Sequence, residues 1–168
     1  MRWLGLNLYL VVIDSQTDET GELSAFLADA VPRLERALVA RFGVDDGLDA
    51  VAEATAYGLA NWDRLREMAN PVGYLYRVGE SQGRRLGRRW RRIDALVAEP
   101  MTHDAVVDID LQRALTRLKA PERVAIVLVY GHGYTYRQAA DVLDIPTTTI
   151  TNHINRGMAN LRRLLEQR

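Results

Sequence analysis

Residues 135–165, TYRQAADVLDIPTTTITNHINRGMANLRRLL, read as two helices joined by a tight turn. Thr135 suits the N-cap of the first helix, and Gln138, three residues on, closes a capping box. Ala139, Ala140, Val142 and Leu143 give that helix one small apolar face. Asp144-Ile145-Pro146 breaks it, because Asp tolerates a left-handed turn and Pro starts a helix but cannot continue one. In the second helix Ile150, Ile154, Met158, Leu161 and Leu165 return on one face at helical spacing. At about 100° per residue, Thr148, Asn152, Asn155 and Arg156 then lie on the opposite side. Short hydrogen-bonding side chains and one guanidinium at the start of a helix suit base edges in a major groove. The plainer reading is an amphipathic helical hairpin with a solvated polar face.

The rest of the chain narrows the function classes. The 168 residues allow one domain or two small ones. Cysteine is absent, which excludes disulfides and thiol chemistry. His103, His132 and His153 have no ligand spacing, so no metal and no cofactor is expected. No Gly-rich phosphate loop, nucleophile elbow or carboxylate-pair motif stands out, so an enzyme is not expected.

Basic and acidic residues balance at 22 each but are segregated. Residues 1–76 hold 6 basic and 12 acidic side chains, and residues 77–92 hold 7 Arg against Glu80. Residues 93–110 hold 5 acids and no Lys or Arg, and residues 111–168 hold 9 basic and 4 acidic. The neutral total hides two basic blocks suited to phosphates.

Residues 3–13 are apolar but too short to span a bilayer. Their role stays open between a packed strand or helix and a loose terminus. From Leu23 the pattern is helical, with Pro32 expected to kink or split it and Gly43 to end it. Asp45-Asp46-Gly47 reads as a turn. A helix follows, with Leu48, Val51, Ala52, Thr55 and Leu59 taken as inward and Asp49 and Glu53 as exposed. Residues 61–70 read as a loop. Asn70-Pro71 starts a helix as cap and first position, carrying Val72, Leu75, Val78 and Leu86 inward.

That helix ends in GRRLGRRWRR. Arg84, Arg88 and Arg92 stack four apart, as do Arg85 and Arg89, with Trp90 nearby. They read either as a solvated helix end or as a phosphate-binding stripe with a stacking ring. Gly79, Gly83 and Gly87 are also four apart, and each costs the helix about 1 kcal/mol relative to Ala unless a close approach requires it. Residues 93–110 read as an acidic linker. A second helical unit then begins at Leu111, with Pro121 opening a helix that runs to Tyr130. The expected fold class is all-α: two small helical domains joined by a linker, the C-terminal one a helix-turn-helix. The divisions are 1–19, an apolar extension; 20–92; 93–110, the linker; and 111–168.

The pair of units resembles the small sigma factors of the sigma-70 family, extracytoplasmic-function type, which carry only the second and fourth conserved regions. The segment LQRALTRLKAPERVAIVLVYGHGYTYRQAADVLDIPTTTITNHINRGMANLRRLL follows the fourth region closely, with Gly133-Tyr134-Thr135 at the helix entry and Asn155-Arg156 where His-Arg is common. LDAVAEATAYGLANW resembles the second region's polymerase-binding helix, and NPVGYLYRVGESQGRR its promoter-melting helix. There are departures. Ala52 replaces a common Gln, Asp144 replaces the usual turn Gly, and Thr151, Asn152 and His153 stand where Lys, Ser and Arg are frequent.

The resemblance implies a bacterial, cytoplasmic initiation factor with core RNA polymerase and promoter DNA as partners, an anti-sigma factor as a further candidate, and no membrane span. Asp49 and Glu53 would face polymerase. Trp62, Tyr74, Tyr76, Arg77, Arg84, Arg85 and Arg88 would hold the unpaired strand of the minus-ten element. Thr148, Thr149, Thr151, Asn152, His153, Asn155 and Arg156 would meet the upstream element as duplex. Two alternatives remain open at this point: a free-standing helix-turn-helix regulator, and a degenerate sigma-like protein-interaction module.

Overall fold

The structure, a computed structural model, describes the backbone of residues 4–90 and 109–166 and the side chains of residues 20–85 and 110–166. Residues 91–108, which hold most of the linker expected at 93–110, and the side chains of residues 4–19 and 86–90 lie outside the described residues, whereas Ile109 and Asp110, expected in the linker, begin a helix. Regular elements among the described residues are all helical. In order they are α1 (Leu4–Phe42), α2 (Val44–Ala60), α3 (Trp62–Leu65), α4 (Pro71–Trp90), α5 (Ile109–Arg117), α6 (Ala120–Ile126), a π-helical turn (Val127–Gly131), α7 (Tyr136–Leu143) and α8 (Thr147–Glu166).

Local signals placed several boundaries. Gly43, at φ 91°, ends α1, and its N–H donates back to the Val39 carbonyl at 2.9 Å. Asn70 Oδ1 accepts from Gly73 N at 3.0 Å and caps α4. The Thr135–Gln138 capping box is formed in both directions. Asp144 takes the left-handed conformation, φ 52° and ψ 49°, between α7 and α8.

Three expectations fail in whole or in part. Pro32 does not split α1, which runs through it. Pro32 is exposed, and so is Ala28, whose carbonyl loses the i→i−4 donor and is open to water. Asp45 and Asp46 form no separate turn. They sit in the first turn of α2, where carboxylates suit the positive end of the helix dipole. Part of the expected 61–70 loop is α3.

Helices α1, α2 and α4 pack on one another, α8 packs on α5, α6 and α7, and these two groups, the first and second units, are packed together. One apolar cluster runs from Leu34 and Leu38 through Val51, Leu65 and Leu75 to Val124, Leu128, Val142, Ile150 and Ile154. A smaller cluster of Ala114, Leu118, Ile126 and Leu161 seats α5 on α6 and α8. Two of the stacked glycines are explained by close approach: a Cβ on Gly79 would meet Leu38 Cδ1 and the Ala50 carbonyl, and one on Gly83 would meet the Phe42 ring. Among the described residues, no helix is long and apolar enough to cross a membrane.

Candidate nucleic-acid and polymerase interfaces

The αL turn at Asp144 sets the angle at which α8 leaves α7. Ile150, Ile154, Gly157 and Leu161 are buried beneath α8. Thr148, Asn152, Asn155 and Arg156 are exposed on its outer side, as their spacing requires. Thr149, Thr151 and His153 are half-buried at the margins, and Thr151 Oγ1 donates to the Thr147 carbonyl at 3.1 Å. Leu165, expected inward, is exposed, while Leu164 is half-buried against the smaller cluster. Burial holds the His153 imidazole below its ordinary pKa; Glu122 opposes that shift and Arg156 adds to it.

The residues expected to hold an unpaired strand are spread over several settings. Arg77, Arg84 and Arg85 are exposed on α4. Glu80 accepts from Arg84 at 2.7 Å and also pairs with Arg41. Tyr74 is half-buried, its hydroxyl 3.1 Å from that of Tyr57 and its ring centroid 5.8 Å from the Arg64 guanidinium. Trp62 lies against Phe26 with ring centroids 5.2 Å apart, and its buried Nε1 has no acceptor among the described residues. Tyr76 is 4% exposed, and burial pushes its hydroxyl up to about 12. In this arrangement its ring is core and offers no stacking surface. Arg88 lies outside the described side chains.

Asp49 and Glu53 are both exposed on α2. The buried face of α2 is made of smaller residues, Gly47, Ala50, Val51, Ala54 and Gly58. A Cβ on Gly47 would meet the Val39 backbone, so α2 lies directly on α1. Leu48, Ala52 and Leu59, expected inward, are outward instead, with Leu48 44% and Leu59 55% exposed. With Val44 they form an apolar stripe beside Asp45, Asp49 and Glu53. Sequence reasoning missed this stripe because it counted large apolar residues as core. The available signal was the run of small residues, which marks the face of closest helix approach.

Residues joining the two units were also missed. Arg123 donates from Nε to the Ala40 carbonyl and from Nη2 to the Arg41 carbonyl, each at 2.7 Å. These carbonyls lie in the last turn of α1, where cations suit the helix dipole. Arg77 reaches Asp144, Asn70 Nδ2 donates to the Asp141 carbonyl at 2.8 Å, and Arg36 Nη1 lies 3.0 Å from the Tyr134 hydroxyl.

Comparison with known proteins agrees with this geometry. Residues 108–161 match the family model of sigma-70, region 4. The ECF RNA polymerase sigma factor EcfG of Rhodopseudomonas palustris (strain TIE-1) is 26% identical over 156 residues, spanning 87% of this chain and 86% of that protein. The sigma factor RpoE from Bartonella quintana, solved in complex with the anti-sigma factor NepR, superposes with a TM-score of 0.62 at 25% identity, covering 87% of this chain and 98% of that one. With an all-α fold, a helix-turn-helix in the matched region and near-complete overlap with two such factors, this chain is similar to the extracytoplasmic-function sigma factors of the sigma-70 family.

Proposed function

We propose that this chain binds core RNA polymerase through α2, reads an upstream promoter element as duplex through α8, and engages the opened minus-ten strand through α4. The α2 stripe carries the reading. An operator-binding regulator needs one DNA surface and a dimer contact. This chain has in addition an exposed apolar row edged by carboxylates on the opposite unit. Apolar anchors at the centre of an interface supply affinity, and charges at its rim supply encounter rate and specificity. The roles of Arg77, Arg84 and Arg85 rest on their exposure and charge along α4, the helix that also carries the half-buried Tyr74 ring; cations and an aromatic ring together suit single strands. An anti-sigma protein is the natural third partner, supported by the Bartonella factor's complex with NepR. Work on polymerase and promoters sets the place of action in the bacterial cytoplasm.

The test is reconstitution. The purified chain should co-elute with core polymerase as one copy, and the holoenzyme should start transcripts from an asymmetric promoter selected from genomic fragments. Failure to co-elute, together with dimeric binding to a palindrome, would replace this reading with that of a free-standing regulator.

A further inference from the structure

We propose that the free chain holds itself shut through a latch between Arg77 and Asp144, which keeps the duplex-reading unit over the strand-facing side of α4. The inference deepens the proposed function and rests on its reading of α4. Arg77 donates through Nε to Asp144 Oδ2 at 2.6 Å and through Nη2 to the Asp144 carbonyl at 2.7 Å. One guanidinium therefore holds both the side chain and the backbone of the helix-turn-helix turn, a geometry suited to Arg. Behind it Tyr76 is buried, and a cleft of about 260 Å³ is lined by Arg41, Tyr76, Arg77, Glu80, Arg84 and His153. Groups assigned to the opened strand and to the upstream duplex thus face each other across one cleft.

Asp144 is the only non-glycine residue at positive φ among the described residues. Glycine would take that conformation without a Cβ penalty, so the carboxylate is retained at a conformational cost. Its interaction with Arg77 accounts for the choice. Gly73 completes the fit, because a Cβ there would come within 2.8 Å of Asp144 Cβ. The pair is also built to release. The Arg77 and Asp144 side chains are 53% and 42% exposed, so solvent and salt weaken the bond.

The experiment uses the full chain. Its lack of cysteine allows paired dyes at Glu67→Cys and Arg162→Cys, both exposed, to report separation of the units. Binding to a labelled random single-stranded DNA is measured on undyed protein at low salt. Asp144→Asn keeps a residue that tolerates the left-handed turn but removes the charge. Gly73→Leu adds a wedge without changing net charge. Each should raise the open fraction, Asp144→Asn by roughly two- to fivefold, the range of an exposed ion pair. Apparent affinity scales with the competent fraction, so strand affinity should rise by the same factor. An unchanged open fraction in both variants overturns the latch. Opening without tighter strand binding overturns the masking, and locates the fault in the reading of α4. Tighter binding in Asp144→Asn alone, with no opening, reduces the effect to loss of a repelling charge and also overturns the proposal.

Discussion

Glu122 is 5% exposed, and its Oε2 accepts a hydrogen bond from Asn160 Nδ2 at 3.1 Å, joining the start of α6 to the middle of α8. Between them Gly157 lets α8 lie against Ile126 and Glu122. A buried carboxylate deprived of its donor keeps its desolvation cost. Asn160→Ala should therefore destabilise the chain by about 1–3 kcal/mol in urea unfolding. A midpoint equal to that of wild type would mean that Glu122 finds another donor.

The glycines of α1 and α4 should respond in opposite directions. A Cβ on Gly21 meets nothing within 4 Å, so Gly21→Ala should stabilise by about 0.5–1 kcal/mol through backbone entropy. A Cβ on Gly79 would stand 2.6 Å from Leu38 Cδ1 and 3.0 Å from the Ala50 carbonyl. Backbone oxygen yields less readily than a side-chain tip, so Gly79→Ala should cost about 1–3 kcal/mol despite the gain in helix propensity. Thermal melts of the two variants, side by side, check the sign of each.

These cases mark what the sequence made legible. The capping box, the Asn70 cap and the left-handed Asp144 were readable because each is decided within four residues. The four-residue spacing of Gly79 and Gly83 was visible, but its cause, the approach of Leu38 and Phe42, lies on another helix. The inward face of α2 was misread because small residues at closest approach displace Leu48 and Leu59 outward. Contacts between the units were not readable at all: Arg77 and Asp144 are 67 residues apart, and no local period couples them. The outward face of α8 was placed correctly, since a single helix period fixes it once Ile150 and Ile154 are core.

Two histidines should give the fold a pH dependence. Partial desolvation lowers the pKa of the largely exposed His132, with Arg36 adding to it, and burial lowers that of the half-buried His153. The unfolded chain takes up these protons near pH 6.5 and the folded chain resists them. Below that value the unfolded state binds more protons, so this contribution to stability is present above about pH 6.5 and is lost as pH falls. Urea midpoints at pH 7.5 and 5.5 should differ less in the His132→Gln/His153→Gln double variant than in wild type. An equal difference would assign the acid sensitivity to other groups.

The α2 stripe separates binding from folding. Leu48 and Leu59 are exposed, so Leu48→Ser and Leu59→Ser should change stability by no more than about 0.5 kcal/mol. In the proposed complex they are anchors, and each should weaken core polymerase binding by more than about 1 kcal/mol. Reversing Asp49 and Glu53 to Arg should slow association and alter its salt dependence, with less effect on dissociation. Surface-immobilised core polymerase measures both rates. Wild-type kinetics in all of these variants would remove α2 from the interface.

The recognition helix allows the finest discrimination between roles. Thr148, Asn152, Asn155 and Arg156 share the exposed side of α8, with Ile150, Ile154 and Leu161 buried opposite. Asn pairs bidentately with adenine, whereas Arg serves either a guanine or a phosphate. Asn152 is central on that face and uncharged, so it has little to offer a phosphate and most to offer a base edge. Asn152→Ala should cost about 1–3 kcal/mol at one base pair of the upstream element and relax preference there alone. Arg156→Ala, if its guanidinium holds a phosphate, should weaken all sequences evenly and reduce the salt slope by about one. The measurement is holoenzyme transcription over a library of single substitutions in the upstream element, at two salt concentrations. Should Asn152→Ala lower every promoter equally, Asn152 positions α8 on the backbone, and base readout passes to its neighbours Thr148 and Asn155.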